Sequence, residues 1–137
     1  MRWCRFRVAD KEAYGIVDGL EVIEVRGTPF DKFERTTIRR PLDRVKLLVP
    51  CIPGTFYAAG LNYLSHIQET AKAGGTENYA PEKPDIGYRA INALVAHQEA
   101  IIIPYDATEK VQYEGELVVV IGKKAKRVTK EEALECV

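Results

Sequence analysis

The sequence predicts a mixed α/β fold in which strands predominate. Segments rich in β-branched and aromatic residues recur along the chain, and glycine, proline and aspartate, which favour turns, separate them. Helical patterns are fewer and occur chiefly at residues 64–75 and from Thr129 onward. With 137 residues, the chain is long enough for one modest domain with a hydrophobic core, but not for two full ones.

Residues 1–45 are predicted to form a small N-terminal β domain and its connection to the next unit. Residues 1–10 and 12–25 have the composition of strands, and the Asp18-Gly19 dipeptide supplies the residues of a tight hairpin turn. Residues 27–43 are polar and irregular, with a short helix predicted around residues 30–35. We interpret this stretch as the connection.

Residues 46–137 are predicted to form a second unit, mostly of strands. A helix is expected at residues 64–75, where two glycines end it, and a loop at residues 76–87, which contain two prolines. Strands are predicted at residues 44–54, 55–62, 93–104 and 111–122, of which the last is the longest.

Charge and cysteine content exclude several classes of protein. The 20 basic and 20 acidic residues balance, so no net charge attracts nucleic acid or an anionic membrane, and the basic cluster at residues 123–127 is interpreted as a solvated surface. Cys4, Cys51 and Cys136 are odd in number and widely spaced, which argues against a disulfide framework or a zinc site. Neither a signal peptide nor a membrane-spanning stretch is recognisable. We expect a soluble cytoplasmic protein with no nucleic-acid or membrane partner.

Two glutamates stand at the start of the most apolar segment. Glu114 and Glu116 flank Gly115 in the sequence YEGELVVVIG, and on a strand their side chains point to the same face. Two carboxylates at such a short distance repel each other unless water, a proton or a cation lies between them. Hard divalent cations take oxygen ligands, so the pair is a candidate partial metal site. The alternative, two solvated glutamates at an exposed strand end, stays open.

A second pair of candidate residues lies on the predicted helix. His66 and Glu69 are three positions apart and share a helix face, where the carboxylate can orient the imidazole as a general base. An ordinary surface pair is the alternative. Ser65 is the chain's only serine and lacks a nucleophile-elbow signature, so a serine hydrolase is not supported.

Taken together, these segments resemble the fumarylacetoacetate hydrolase family over residues 45–137. The resemblance rests on AAGLNYLSHIQE, on ALVAHQEAIIIP after a proline-containing loop, and most specifically on VQYEGELVVVIG with the residues that follow it. It implies a mixed β-roll catalytic domain preceded by a small β domain. It also implies a divalent cation held by three carboxylates, Mg²⁺ or Mn²⁺ with Ca²⁺ as a further candidate, of which Glu114 and Glu116 match the first two. His66 and Glu69 match the family's catalytic dyad.

The sequence departs from the family pattern in two respects. The family's third metal ligand is an aspartate in a later strand, and these 137 residues stop before it, in a helix that a Thr129–Glu132 capping box begins. We therefore expect a fragment, or a chain completed by a second polypeptide. In addition, GYRAIN replaces a segment that contains Lys-Pro in many relatives, which makes Arg89, with Asn92 and Tyr63, a candidate substrate contact or a solvated residue.

The function that the resemblance implies is hydrolysis of a C–C bond in a 2,4-dioxo acid of the fumarylacetoacetate or acylpyruvate type. Alternatives are an isomerase or decarboxylase acting on a hydroxymuconate-like or oxaloacetate-like acid, and a non-catalytic assembly module. The loop at residues 73–84 is a candidate lid over the site or a plain surface connection. A small oxo acid is the expected ligand, and a homodimer the expected assembly.

Overall fold

The computed structural model describes residues 1–74, 80–107 and 109–137, and these form two compact units. The first unit consists of Met1–Pro50 together with Ala96–Val137, and the second of Cys51–Val95. Strands predominate among the described residues, which confirms the predicted fold class. No helix in the described part of the chain is long and apolar enough to cross a membrane.

A five-stranded antiparallel sheet makes up most of the first unit. Its strands lie in the order β4-β3-β2-β1-β5. Their bounds are β1 Arg2–Val8, β2 Lys11–Asp18, β3 Glu21–Gly27, β4 Phe33–Pro41 and β5 Lys46–Leu48. The predicted hairpin is confirmed, because Asp18 pairs with Glu21 across a two-residue loop in which Gly19 has a φ of +60°.

Cys4, Phe6 and Val22 form the buried cluster at the centre of this sheet. Gly15 pairs with Cys4, and a side chain at position 15 would collide with Val22 and Phe6, so only glycine lets these strands pack this closely. The Cys4 thiol donates to the carbonyl of Gly15, and burial raises the pKa of that thiol.

The prediction of a short helix around residues 30–35 is wrong. Residues 33–41 instead form β4, which pairs with β3 despite a register shift between Ile23 and Val25. β-Branched Thr36, Thr37 and Ile38 favour a strand here. The Arg40 guanidinium donates to the Glu24 carboxylate of the neighbouring strand at 3.2 Å, a cross-strand pair that the local sequence does not reveal.

The second unit contains a two-stranded antiparallel sheet and the main helix. Its elements are β6 Phe56–Gly60, α1 Leu64–Gly74 and β7 Asp85–Arg89, with a short 3₁₀ turn at Ile91–Ala93. The predicted helix is confirmed, and so is a strand after residue 55. The prediction of a loop at residues 76–87 is wrong for its last residues, where β7 begins. Residues 76–79 of that loop lie outside the described residues.

The predictions of strands at residues 93–104 and at residues 111–122 are also wrong. Residues 93–104 contain a turn, in which Gln98 has a φ of +63° and the Ala96 amide donates to the Glu99 carboxylate at 2.9 Å. Residues 111–122 form no strand with any other described segment, and their aliphatic side chains are exposed. Apolar composition alone does not make a strand, because the backbone needs a hydrogen-bonding partner.

The predicted capping box is confirmed at the last helix, α2 Lys130–Ala133. The Glu132 amide donates to the Thr129 hydroxyl at 3.3 Å, and the Thr129 amide donates to the Glu132 carboxylate at 3.0 Å. These bonds hold the pKa of Glu132 below its usual value. A 3₁₀ turn, Leu134–Cys136, follows, and its Cys136 carbonyl accepts from the Gly122 amide at 2.8 Å.

Candidate functional site

The predicted site residues are divided between the two units. Glu114 and Glu116 belong to the first unit. The second unit holds the remaining five, Tyr63, His66, Glu69, Arg89 and Asn92. All candidate acid–base and substrate contacts therefore lie in one of the two units.

Helix α1 carries the predicted His–Glu pair on its exposed side. The helix starts where the Ile67 amide donates to the Tyr63 carbonyl at 3.0 Å. Ile67 and Ala71 are buried on one face, and since residues advance about 100° each around a helix, His66 and Glu69 lie together on the opposite face. Both are exposed. The buried pair thus fixes which way the dyad points.

An open cavity of about 300 Å³ lies beside the buried face of α1, inside the second unit. Its walls are Gly60 at the end of β6, the two residues that follow it, Leu64 and Ile67 of the helix, and four residues of the 80–84 segment. Since Leu64 and Ile67 face away from His66, the cavity and the dyad occupy different sides of α1.

Arg89 and Asn92 lie close to each other in the sequence, at the end of β7 and just after it. Arg89 is its last residue, and its guanidinium donates to the carbonyl of the neighbouring Tyr88 at 3.2 Å. Asn92 lies in the 3₁₀ turn that comes next. Both side chains are exposed, so each is accessible to a ligand as well as to water.

Sequence reasoning missed a pair of tyrosines on the same sheet. Tyr57 of β6 and Tyr88 of β7 are register partners with ring centroids 4.9 Å apart. A side-chain hydrogen bond between them raises the pKa of Tyr57. They remain 51% and 75% exposed, so this face of the sheet presents aromatic surface to solvent. The strand-pairing register that joins them is not readable from either segment alone.

The two glutamates of the first unit sit in the segment that forms no strand. Both are exposed, and nothing lies within 4 Å of a Cβ placed on the intervening Gly115. Their oxygen donors suit a hard divalent cation. No group of three or more His, Cys, Asp or Glu side chains placed to hold a metal occurs within the described ranges, so the pair supplies at most part of a coordination shell.

Comparison with known families decides what kind of protein these residues belong to. The family model described as fumarylacetoacetate (FAA) hydrolase C-terminal matches residues 55–137, which is more than half of the chain. The chain belongs to the fumarylacetoacetate hydrolase family. The resemblance predicted from the motifs is thereby confirmed. A second model, described as Rv2993c-like, N-terminal, matches residues 1–50. The division predicted after residue 45 stays a prediction.

Individual members of the family are similar to this chain over most of its length. The fumarylacetoacetate hydrolase domain-containing protein 2 homolog of Dictyostelium discoideum is 38% identical over 99 residues, which are 72% of this chain and 30% of that protein. A 4-hydroxyphenylacetate degradation bifunctional isomerase/decarboxylase of Salmonella dublin is 34% identical over 123 residues, 89% of this chain and 25% of that protein.

A crystal structure of the protein Cg1458 with an inhibitor has the same fold. It superposes with a TM-score of 0.81 at 32% identity, over 99% of this chain and 51% of that one. The chain therefore spans about half of this solved family member and less than a third of each of the two curated relatives.

Proposed function

We propose that this chain provides part of the active site of a divalent-metal-dependent enzyme that hydrolyses a C–C bond in a fumarylacetoacetate-like or acylpyruvate-like oxo acid. The observation that carries the proposal is the exposed His66–Glu69 pair on α1 in a member of this family. The buried Ile67 and Ala71 on the other face leave that pair directed outward, where a substrate and a water molecule have access.

Glu114 and Glu116 are the proposed metal ligands, and Mg²⁺ or Mn²⁺, with Ca²⁺ as a further candidate, is the proposed ion. When bound, such a cation would supply Lewis-acid stabilisation of negative charge on a substrate oxygen. Two carboxylates do not complete a six-ligand oxygen shell. The remaining ligands are proposed to be substrate oxygens, water and a further protein carboxylate outside the described residues.

The proposed role of His66 is that of general base. Its imidazole takes a proton from water, and the resulting hydroxide attacks the carbonyl carbon of the bond to be broken. Glu69, on the same helix face, holds the ring orientation and stabilises the imidazolium. Cleavage then releases the carbon fragment as an enolate, which is protonated to complete the reaction.

Arg89, Asn92 and Tyr63 are the proposed substrate contacts in the second unit. A guanidinium binds a carboxylate through two parallel hydrogen bonds, which lysine does not do. The bond from Arg89 to the Tyr88 carbonyl uses one nitrogen of the guanidinium, Nη1. Asn92 and Tyr63 would add hydrogen bonds to oxo or hydroxyl groups.

A second candidate function is isomerisation or decarboxylation of a hydroxymuconate-like or oxaloacetate-like acid. The bifunctional isomerase/decarboxylase among the relatives favours it. An enolate-type anion is formed in each of these reactions, which differ in whether a C–C bond breaks and in where His66 delivers or removes a proton. A non-catalytic assembly module is the alternative from another class.

The decisive experiment compares turnover by the purified protein and by His66→Ala, with His97→Ala as the matched control. His97 is also exposed but lies in the turn at residues 96–99 of the first unit. We expect His66→Ala to lose at least about 100-fold in kcat on acylpyruvate with Mn²⁺ affinity unchanged, and His97→Ala to keep its rate.

Product analysis by NMR separates the candidate reactions. Pyruvate and a free acid indicate hydrolysis, whereas a rearranged or decarboxylated product indicates the second candidate. An unimpaired rate in His66→Ala excludes the proposed role of the dyad. A complete protein, with every carboxylate of the proposed metal site, that turns over none of these acids in the presence of Mn²⁺ favours the assembly module.

A further inference from the structure

Leu61 adopts a backbone conformation that leucine rarely occupies. Its φ is +46°, in the left-handed region, and it is the only branched aliphatic residue among the described non-glycine residues with positive φ. In this region the Cβ crowds the following carbonyl oxygen, which disfavours bulky side chains. Such a conformation persists only where its surroundings enforce it, and outliers of this kind cluster at functional sites.

Packing of the Leu61 side chain does not account for the strain. The side chain is 48% exposed and lines the open cavity beside α1, so little apolar surface is buried in return. The restraint comes from the chain on both sides. Gly60 pairs with Asp85 in the two-stranded sheet, and α1 is anchored from Ile67 onward by its buried face.

The position of Leu61 gives its backbone angle a large effect on the dyad. It lies immediately after β6 and before the first turn of α1, five residues ahead of His66. A change in the backbone angles of Leu61 therefore turns α1, and with it the imidazole, relative to β6. A displacement of about 1 Å in a catalytic group already costs on the order of 100-fold in rate.

We propose that Leu61 is a positioning residue whose left-handed backbone sets the direction in which α1 leaves β6, and with it the placement of His66 and Glu69. The inference deepens the proposed function, on which it rests, and assigns Leu61 no contact with substrate. Its conformation, and not its side chain, performs the role. Residues that tolerate positive φ should therefore replace it, whatever their polarity.

The test compares Leu61→Asn with Leu61→Val. Asparagine tolerates the left-handed region, whereas valine, being β-branched, opposes it. We expect Leu61→Val to lose about 10- to 100-fold in kcat, with Mn²⁺ stabilisation unchanged and a smaller change in KM. Leu61→Asn should keep kcat within about threefold of wild type and unfold at the same or a higher temperature.

Leu20→Val is the matched control. Leu20 is an exposed leucine in the β2–β3 turn of the first unit, without positive φ, so the same substitution there should change neither rate nor unfolding temperature. Loss of rate in Leu61→Asn equal to that in Leu61→Val would show that the leucine side chain matters and overturn the inference. Full activity in Leu61→Val would overturn it as well.

The NMR resonances of the His66 ring provide a readout that does not need turnover. Leu61→Val should shift them and Leu61→Asn should leave them in place, with assignment by His66→Ala. If the wild type turns over no oxo acid, the proposed function fails while this comparison still tests Leu61. If the wild type is active and the His66 resonances are the same in both variants, the inference about Leu61 alone fails.

Discussion

Glu12 shows how single charged residues join neighbouring strands of the first unit. From β2, its carboxylate accepts hydrogen bonds from Arg5 at 2.5 Å and Arg7 at 2.6 Å, both on β1. The bonds from Arg7 and then Arg5 hold the pKa of Glu12 below its ordinary value of 4.5. Because the pKa of Glu12 is lower in the folded protein, the ion pairs stabilise the fold at pH values above the pKa of Glu12 in the unfolded chain. This stabilisation is lost as the pH falls through the pKa of Glu12 in the folded protein.

The Glu12→Gln variant tests this pH dependence. We expect it to unfold at a lower temperature than wild type at about pH 7 and low ionic strength, because the neutral amide cannot pair with two guanidinium groups. At about pH 3 the difference should shrink, since the wild-type carboxyl is then increasingly protonated. Thermal unfolding followed by circular dichroism measures both.

Glu34→Gln serves as the control for that measurement. The Arg26–Glu34 pair is longer, at 3.7 Å, and both side chains are about 80% exposed, so solvent screens it and little change is expected. Equal unfolding temperatures for wild type and Glu12→Gln at about pH 7, or a difference that does not shrink on acidification, would contradict the role assigned to the cluster.

Some features of single residues follow from sequence and others do not. The three-residue spacing of His66 and Glu69 predicts a shared helix face, and α1 places them so. Leu61 offers no such signal, because its left-handed backbone contradicts the preference of leucine and comes from the elements on either side. The Tyr57–Tyr88 contact likewise depends on the register between β6 and β7.

Elements held by local interactions were predicted more reliably than elements held by distant ones. The Asp18-Gly19 hairpin and the Thr129–Glu132 capping box each involve residues within four positions of one another, and both are confirmed. β4 was missed because its stability comes from pairing with β3, including the contact between Arg40 and Glu24. Such cross-strand contacts are not encoded in the polar composition of residues 33–41.

The segment at residues 111–122 is the clearest difference between prediction and structure. Its aliphatic side chains suggest a buried strand, yet those of Val118, Val119 and Ile121 are more than half exposed. Contiguous exposed apolar side chains of this kind are typical of surfaces that another protein segment covers. We propose that a second copy of the chain provides that cover, as in the expected homodimer.

Light scattering coupled to size-exclusion chromatography tests the dimer. Each chain of 137 residues has a mass of 15.4 kDa, and we expect a particle of twice the chain mass for wild type. Val118→Lys with Ile121→Lys should halve it, because burying two ammonium groups is costly. Leu20→Lys, at an exposed turn, should not. A wild type with the mass of one chain would exclude a second copy as the partner.

The sequence predicts the family of the protein but not its substrate. The order of the motifs around His66 and around Glu114 identified the family, and the match over residues 55–137 confirms it. Family membership leaves the reaction open, because hydrolysis, isomerisation and decarboxylation share an enolate. Substrate choice depends on side chains brought together by folding, such as Arg89 and Asn92, whose neighbours cannot be inferred from spacing along the chain.

Glu114 and Glu116 are the residues on which the proposed reaction depends most, since they would bind its cation. The test measures thermal unfolding with and without Mn²⁺ for wild type, for Glu114→Ala with Glu116→Ala, and for a control. The control, Glu131→Ala with Glu135→Ala, changes one exposed glutamate of α2 and one of the 3₁₀ turn after it. At about 100 times its Kd, a bound ion adds roughly 2.7 kcal/mol to the free energy of unfolding. We predict that Mn²⁺ raises the unfolding temperature of wild type and control but not of the Glu114, Glu116 variant. Equal shifts in all three proteins would show that the ion does not bind at Glu114 and Glu116.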